Sequence, residues 1–264
     1  MLQDISIPRP CRLRSTLGNL DLRIEDMGTS RDGRYAVLWS GGKDSCLALW
    51  RACHSGIRVR TLLNFVDQRS RRVRFHAVRA ELIAEQARAL DLKLEQHETA
   101  ANDYASVVGD ALKALKARGY DGIVAGDIHL ERVRHWNQQQ TARVGLELLE
   151  PLWHADARQL LTSFVSAGFR AVLTCCDNKW PDTLRIGREI DKHFVSEVLR
   201  NSQFDACGEN GEYHSFVFDG PLFSRPVQWA PGEFRRSNGF TQVDLVPLSE
   251  SVRSLKGTKS PTVE

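Results

Sequence analysis

The segment SGGKDS at residues 40–45 constrains the fold of this chain more than any other feature of its sequence. It follows directly after the apolar run at residues 35–39, and apolar residues then recur at helical spacing over residues 46–53. A buried strand that breaks at two glycines and continues as a helix directs backbone N–H groups, a lysine and two hydroxyls toward a polyphosphate. The segment therefore predicts a phosphate-binding loop between a strand and a helix.

A Walker-type loop and a simple glycine turn are the competing interpretations of this segment. A Walker-type loop requires glycine at position 37 and a hydroxyl residue directly after the lysine. The chain has Val37 and Asp44 at those positions, so the Walker interpretation fails at both. A pair of glycines that only joins a strand to a helix is the alternative that stays open.

Strand and helix patterns alternate along the first half of the chain. Parallel strands joined by single helices form right-handed crossovers, so we predict a doubly wound parallel α/β sheet of Rossmann-like type. The ligand crevice of such a sheet lies at the carboxyl ends of its strands, where residues 40–45 and the pair Gly126 and Asp127 fall. The apolar runs that predict strands lie at residues 35–39, 59–66, 92–96 and 122–125.

The regular alternation of predicted strands and helices ends after residue 128. We therefore expect an ATP-binding α/β domain over residues 34–128 and a smaller C-terminal α+β substrate domain over residues 129–248. Residues 1–33 have mixed polarity and weak periodicity, and we expect them to form an N-terminal arm. The polar residues 249–264 are expected to form a disordered tail.

The composition excludes several classes of protein. Hydrophobic residues make up 42% and charged residues 26% of the chain, as in soluble globular proteins. No apolar stretch approaches the roughly 18 to 20 residues of a membrane helix, and no signal peptide is evident, so we expect a cytoplasmic protein without a membrane partner. A net charge of +3 is too small to indicate a nucleic-acid partner. The six cysteines form no C-x-x-C pair, which argues against a zinc site.

Three separated segments resemble the diphthine–ammonia ligase family of PP-loop ATP pyrophosphatases. The resemblance runs from about residue 34 to residue 223. Asn210 and the sequence FHAVR at residues 75–79 resemble the prokaryotic branch of that family. The three segments are WSGGKDS at 39–45, GDI at 126–128 with GL at 145–146 and PLW at 151–153, and CGENGE at 207–212 with DGPLF at 219–223.

This resemblance implies an ATP-dependent amide ligase. In that chemistry a carboxylate attacks the α-phosphate of ATP, pyrophosphate leaves, and ammonia then displaces AMP to give an amide. The expected cofactors are ATP and Mg²⁺, and the expected partners are ammonium and a carboxylate-bearing small molecule or protein side chain. A homo-oligomer is compatible with the sequence.

The resemblance also assigns residues to roles. The nucleotide is expected to contact Ser40, Gly41, Gly42, Lys43, Asp44, Ser45, Asn64 and Gly126. The substrate is expected to contact His76, Arg79, Arg134, Gly208 and Gly211. The expected catalytic residues are Lys43, Asp44, Asp127, Glu209 and Glu212.

Individual roles follow from the charge of each side chain. Lys43 is expected to neutralise the developing pyrophosphate charge, and Asp44 to orient magnesium or cap the helix. Asp127 either binds metal or ammonium, or caps a helix. Glu209 and Glu212 are expected to serve the amide-forming step, since anionic groups attract ammonium and accept its proton.

One segment departs from the family pattern, and two other functions stay open. Arg134 aligns with the first arginine of the family segment Gln-Arg-x-Arg-Val-Glu, but Trp136 and Gln138 replace its second arginine and its glutamate. This departure puts diphthine recognition in question. The alternatives are a sulfur-inserting enzyme acting on tRNA, for which the adjacent Cys175 and Cys176 are a poor substitute for C-x-x-C, and a non-catalytic nucleotide-binding regulator.

Overall fold

The structure is a computed structural model that describes residues 33–74, 76–180, 184–237 and 239–248. The arm expected at residues 1–33, except for Gly33, and the tail expected at residues 249–264 lie outside these ranges. Phe75 of the FHAVR segment lies outside them as well. Among the described residues, no helix is long and apolar enough to cross a membrane.

The described chain contains the following helices and strands. They are β1 (Arg34–Leu38), α1 (Lys43–His54), β2 (Arg58–Asp67), β3 (Arg72–Val73), α2 (Ala80–Leu90), β4 (Lys93–Thr99), α3 (Tyr104–Ala117), β5 (Gly122–Val124), α4 (Glu131–Val144), β6 (Glu147–Leu149), α5 (Ala157–Ser166), β7 (Arg170–Asp177), α6 (Lys192–Arg200), β8 (Tyr213–Asp219), β9 (Trp229–Ser237) and β10 (Phe240–Pro247).

The first sheet contains five parallel strands in the order β4-β2-β1-β5-β6, and the short β3 pairs antiparallel with the end of β2. Two hydrophobic clusters cover the sheet. One contains the buried side chains of α1 and α2, such as Leu49 and Ile83, and the other contains those of α3, such as Leu112. Helices therefore cover both faces, and the predicted doubly wound α/β fold is confirmed.

The strand order reverses between β1 and β5, the two strands that precede residues 40–45 and Gly126. Consecutive parallel strands lead outward from β1 on one side and from β5 on the other. A doubly wound sheet binds ligands at this switch point because the loops that leave the two strands diverge there. The fold thus brings the two predicted loops together at a crevice.

The second sheet is antiparallel, with the order β8-β7-β10-β9. Apolar patterns at residues 169–174 and 213–218 predict β7 and β8, whereas no sequence pattern predicted α6, β9 or β10. Strand β9 contains Pro231 and Gly232 and carries two consecutive exposed arginines, Arg235 and Arg236, so its apolar alternation is weak. The parallel sheet includes β6 and so continues past residue 129, where the sequence placed a domain boundary.

Gln86 of α2 joins the predicted phosphate loop to the second sheet. Its side chain is completely buried, and its carbonyl oxygen accepts a hydrogen bond from the indole of Trp39 at 2.8 Å. Its amide donates to the backbone carbonyls of Gly41 at 3.0 Å and Val217 at 2.6 Å. The Val217 N–H of β8 also donates to the Gly41 carbonyl at 2.9 Å. One side chain therefore holds β1, the loop and β8 in register.

Replacing Gln86 by leucine tests this arrangement. The change Gln86→Leu preserves side-chain volume but leaves buried polar groups of Trp39 and Val217 without a partner. We expect the free energy of unfolding in urea to fall by about 2 to 4 kcal/mol, because each orphaned buried group costs about 1 to 3 kcal/mol. The exposed Gln159 provides a matched control, Gln159→Leu, which should change it by less than about 0.5 kcal/mol. Equal effects of the two substitutions would contradict the assigned role.

Candidate active site

A cavity of about 670 Å³ opens at the switch point of the parallel sheet. Its walls come from the ends of β1, β2 and β5, the start of α1, helix α4 and the turn before β8. Of the residues predicted as functional, the cavity is lined by Ser40, Asp44, Ser45, Asn64, His76, Gly126, Asp127 and Glu209. The fold therefore gathers side chains from three separated motifs around one space.

Two glycines allow the backbone to pack closely at this site. Gly41 has a φ of +81°, and a Cβ atom there would lie 2.5 Å from Cδ1 of Ile83. A Cβ atom on Gly126 would lie 2.9 Å from the backbone carbon and oxygen of Asp44. The end of β5 therefore touches the first turn of α1, and a side chain at position 126 would force the two loops apart.

The hydroxyls of Ser40 and Ser45 lie close to each other at the N-terminus of α1. The Oγ atoms of Ser40 and Ser45 lie 3.2 Å apart, and Ser45 Oγ donates to the Gly42 carbonyl at 3.1 Å. Helix α1 begins at Lys43, so its first turn points toward the cavity edge where Asp44 and Ser45 lie. A helix N-terminus with adjacent hydroxyls suits a bound anion.

Three carboxyl groups share the cavity wall. Burial raises the pKa of Asp44, although Lys43 opposes the rise, and burial also raises the pKa of Asp127. Burial together with the nearby Asp44 raises the pKa of Glu209 to about 7. Asn137 of α4 fixes Asp127 by donating to its Oδ2 at 2.7 Å. The site thus contains a carboxyl group that titrates near neutral pH.

Lys43 is buried behind the cavity lining, and its expected contact with pyrophosphate stays a prediction. It is only 4% exposed and is absent from the cavity lining. Its amine lies 2.8 Å from Asp44 Oδ2, donates to the Cys207 carbonyl, and lies 4.8 Å from the centre of the Tyr213 ring. Burial alone would lower the pKa of Lys43, but the charge and hydrogen bond of Asp44, together with Tyr213 and Cys207, raise it overall, so the amine stays protonated.

Glu212 closes the turn at residues 205–212, which we call the acidic turn. Its carboxylate is 7% exposed and accepts hydrogen bonds from the backbone N–H groups of Asp205 at 2.9 Å and Asn210 at 3.1 Å. Gly208 and Gly211 both have positive φ, and a Cβ on Gly208 would lie 2.9 Å from the Tyr213 carbonyl. Glu212 therefore shapes the turn, whereas Glu209 faces the cavity.

Both arginines expected to bind substrate are paired with carboxylates outside the cavity lining. Arg79 Nε lies 3.0 Å from Asp244 Oδ1, so it links the start of α2 to β10. Arg134 Nε donates to Glu150 Oε2 at 2.9 Å, and its guanidinium lies 4.3 Å from the centre of the Trp153 ring. A one-dimensional motif gives no sign of such partners, because Asp244 lies 165 residues from Arg79.

Asn64 and His76 lie on the cavity wall, whereas the predicted glycines Gly41, Gly42, Gly208 and Gly211 do not line it. Asn64 is completely buried, and its amide donates to the Trp39 carbonyl at 2.7 Å, so it joins β1 to β2. His76 lies beside His214, with ring centres 4.6 Å apart. Burial lowers the pKa of His76 to about 3, so its ring is neutral, and its Nδ1 has no hydrogen-bond partner among the described residues.

Several residues of the cavity wall were missed by the sequence interpretation. Arg74 and Arg132 contribute positive charge, and Tyr104 and Trp136 stack with ring centres 5.7 Å apart. Arg74 also donates to Asp67 at 2.9 Å. Their position could have been inferred from the strand ends, since Tyr104 begins the helix after β4 and Trp136 lies in the helix after β5.

Within the described ranges, no three His, Cys, Asp or Glu side chains lie close enough together to hold a metal ion. Asp44 and Asp127 offer carboxylate oxygens at the cavity, and oxygen ligands are those that Mg²⁺ prefers. Mg²⁺ in nucleotide sites is bound by one or two carboxylates together with substrate phosphates. The donors present therefore fit a magnesium ion that arrives with a nucleotide.

Comparison with known families agrees with the motifs and the fold. The family profile for the diphthamide synthase N-terminal domain matches residues 33–148, and the profile for the diphthamide synthase C-terminal domain matches residues 156–245. This chain belongs to the diphthamide synthase family. The resemblance inferred from the three motifs is thereby confirmed, and its prokaryotic branch stays a prediction.

Alignments with curated members of the diphthamide synthase family cover most of the chain. The protein named diphthine–ammonia ligase from Danio rerio is 27% identical over 226 residues, which cover 74% of this chain and 85% of the relative. The protein of that name from Homo sapiens is 25% identical over 228 residues, with 74% and 82% covered. The one from Rattus norvegicus is 25% identical over 270 residues, with 87% and 97% covered.

Cys175 and Cys176 are the cysteines considered above for sulfur insertion. Cys175 and Cys176 are both buried in β7 of the second sheet. Burial raises the pKa of Cys176 to about 12, and it also raises the pKa of Cys175. Thiols with raised pKa values are poor nucleophiles at neutral pH. The geometry thus offers no support for sulfur insertion.

The ion pair of Arg79 and Asp244 predicts a pH-dependent contribution to stability. Hydrogen bonds from Arg79 lower the pKa of Asp244 to about 2, below its ordinary value. The stabilisation is therefore complete above about pH 5 and is lost as the pH falls toward 2. We expect Asp244→Asn to lower the free energy of unfolding by about 1 to 3 kcal/mol at pH 7 and by about half as much at pH 3.

Chemical denaturation from pH 7 to pH 3 measures this difference. Asp110, whose side chain is 72% exposed, provides the control substitution Asp110→Asn, which should have no comparable pH dependence. If the free energy of unfolding of Asp244→Asn stays below that of the unsubstituted protein by the same amount down to pH 3, the charge of the Asp244 carboxylate contributes nothing to stability.

Proposed function

We propose that this protein is an ATP-dependent amide ligase that adenylates a substrate carboxylate and transfers ammonia to it. One observation carries the proposal: the glycine loop at residues 40–45 and Glu209 of the acidic turn face the same cavity. The first suits a polyphosphate and the second suits proton transfer from an amine. The printed name of the relatives, diphthine–ammonia ligase, supports the same chemistry.

The nucleotide would bind at the start of α1. The cavity of about 670 Å³ falls within the range of ligand pockets, roughly 300 to 1,000 Å³. We propose that Ser40, Ser45 and the first turn of α1 bind phosphate oxygens. Asp44, with Asp127, would hold Mg²⁺, which would neutralise phosphate charge when bound.

The reaction would proceed in two steps. In the first, one oxygen of the substrate carboxylate forms a bond to the α-phosphorus of ATP, and the bond to the pyrophosphate oxygen breaks. In the second, ammonia forms a bond to the acyl carbon, and AMP leaves with that carboxylate oxygen. We propose that Glu209 accepts the proton that the attacking nitrogen loses, since its pKa of about 7 suits a general base near neutral pH.

The identity of the acid is a narrower question. Trp136, in place of an arginine of the family segment, lines the cavity, and Arg134 is paired with Glu150. We propose a carboxylate-bearing small molecule or protein side chain as substrate, and diphthine is the first compound to test. We also propose that the ATP-binding part ends after β6 and that the C-terminal part begins at α5, in a cytoplasmic protein.

Isotope transfer tests the proposed function directly. With a candidate acid labelled with ¹⁸O in its carboxylate, together with MgATP and ammonium, mass spectrometry should find one ¹⁸O atom in each AMP produced. Pyrophosphate and amide should form in equal amounts. Formation of ADP, or of AMP that takes its new oxygen from water while the acid is unchanged, would contradict the proposal. Diphthine and other acids are compared under identical conditions.

Gly126→Ala should weaken nucleotide binding. The new Cβ would lie 2.9 Å from the Asp44 backbone and displace the start of α1. We expect calorimetry to show MgATP affinity reduced at least tenfold. Gly109 lies inside α3, and a Cβ atom there would have no heavy atom within 4 Å, so Gly109→Ala is a matched control that should bind normally. Normal affinity in Gly126→Ala would place the nucleotide elsewhere.

Glu209→Gln should slow amide formation without abolishing nucleotide binding. We expect a loss of about 100- to 10,000-fold in the ammonia-dependent rate, the usual cost of losing a proton-transfer group. In the unsubstituted protein, at a fixed concentration of free ammonia, the rate should rise with pH through about 7 because Glu209 acts as a base only when ionised. This rise should be absent in Glu209→Gln. An unchanged pH profile would exclude Glu209 as the base.

A further inference from the structure

We propose that Lys43 is a positioning residue that holds the acidic turn, residues 205–212, against the phosphate loop and thereby keeps Glu209 at the cavity. This inference deepens the proposed function and rests on the role given there to Glu209. It assigns the lysine of the SGGKDS segment to a contact between the two halves of the chain and not to a contact with phosphate.

The contacts of the Lys43 amine are the first reason for this assignment. Lys43 Nζ donates to the Cys207 carbonyl and lies 2.8 Å from Asp44 Oδ2, so it joins a residue of the acidic turn to the first turn of α1. The ring of Tyr213 covers the amine at 4.8 Å, a distance typical of a cation–π contact. With 4% of the residue exposed, the amine has little room to reach a ligand in the cavity.

Hydrogen bonds within the acidic turn couple the position of Glu209 to the position of Cys207, which Lys43 contacts. The carboxylate of Asp205 accepts hydrogen bonds from the N–H groups of Cys207 at 2.8 Å and Glu209 at 3.3 Å. Glu212 accepts from the N–H of Asp205 at 2.9 Å. The hydroxyl of Tyr213 donates to the Ala206 carbonyl at 2.7 Å. These bonds make the turn one unit, and Lys43 is the cation that attaches it to α1.

Electrostatics provide the second reason for a cation at this place. The carboxyl groups of Asp44, Asp205 and Glu209 all lie close enough to affect one another. Like charges that share a buried site repel one another unless a cation compensates them. The charge of Lys43 favours the ionised forms of both Asp44 and Glu209. Loss of the cation would leave buried carboxylates uncompensated, which favours release of the turn toward solvent.

Hydrogen exchange at the acidic turn and nucleotide affinity together test this assignment. In Lys43→Met we expect backbone amides of residues 205–212 to exchange at least tenfold faster, while calorimetry finds MgATP affinity reduced by less than tenfold, a small loss because Lys43 also favours the ionised form of Asp44. Lys43→Arg, which keeps the charge and the donor, should restore slow exchange. The control is Lys113→Met, at a lysine whose side chain is 69% exposed, and it should change neither quantity.

The opposite pattern overturns the proposal. If Lys43→Met binds MgATP at least thirtyfold more weakly and its acidic turn exchanges normally, Lys43 is a phosphate ligand. Hydrogen exchange in the unsubstituted protein, with and without MgATP, gives an independent test in case Lys43→Met does not fold. If the Lys43 amine left Cys207 to contact the nucleotide, the amides of residues 205–212 would exchange faster after MgATP is added. We expect their exchange to stay equal or become slower. Failure of the isotope-transfer test leaves these outcomes interpretable, because neither measurement depends on amide formation.

Discussion

The backbone carbonyl of Gly41 is the point at which the two sheets of this protein are tied together. It accepts hydrogen bonds from Val217 of β8 and from Gln86 of α2, and the next residues of the loop are bound in the same way, since Lys43 N–H donates to Ser215 Oγ at 3.2 Å. A glycine-rich loop has high conformational entropy when free. Contacts from the second sheet fix its conformation before any ligand arrives, and preorganisation of this kind strengthens binding.

The same tie explains why the C-terminal part of the chain belongs to the active site. Strand β8 follows directly after the acidic turn, so the strand that braces the phosphate loop also delivers Glu209 to the cavity. Neither sheet forms the site alone. In the proposed reaction, a cavity shared by both steps would hold the activated intermediate beside Glu209.

Charge balance is the second constraint on the site. Three carboxyl groups lie at the cavity wall, where burial raises the pKa of each, and the wall also includes the cations Arg74 and Arg132, while Lys43 is buried beside Asp44. An accompanying metal cation would reduce the repulsion between these carboxylates and an anionic polyphosphate. This repulsion is a physical reason to propose magnesium with the nucleotide. Burial, together with the nearby Asp44, raises the pKa of Glu209 to about 7.

Local sequence determined the fold class and the edge of the sheet at which the candidate site lies, because strand and helix periodicity and the glycine pair act over a few neighbouring residues. The family followed from three short motifs for the same reason. Phosphate binding by residues 40–45 stays a prediction. Tertiary structure alone decided what individual side chains contact: Lys43 meets the Cys207 carbonyl 164 residues away, Arg79 meets Asp244, and Glu212 turns inward while Glu209 faces the cavity. Strands β9 and β10, which supply Asp244, also escaped the sequence patterns. The direction of a charged side chain depends on its distance from oppositely charged groups, and that distance is set by tertiary packing. The spacing of residues in the sequence does not contain it.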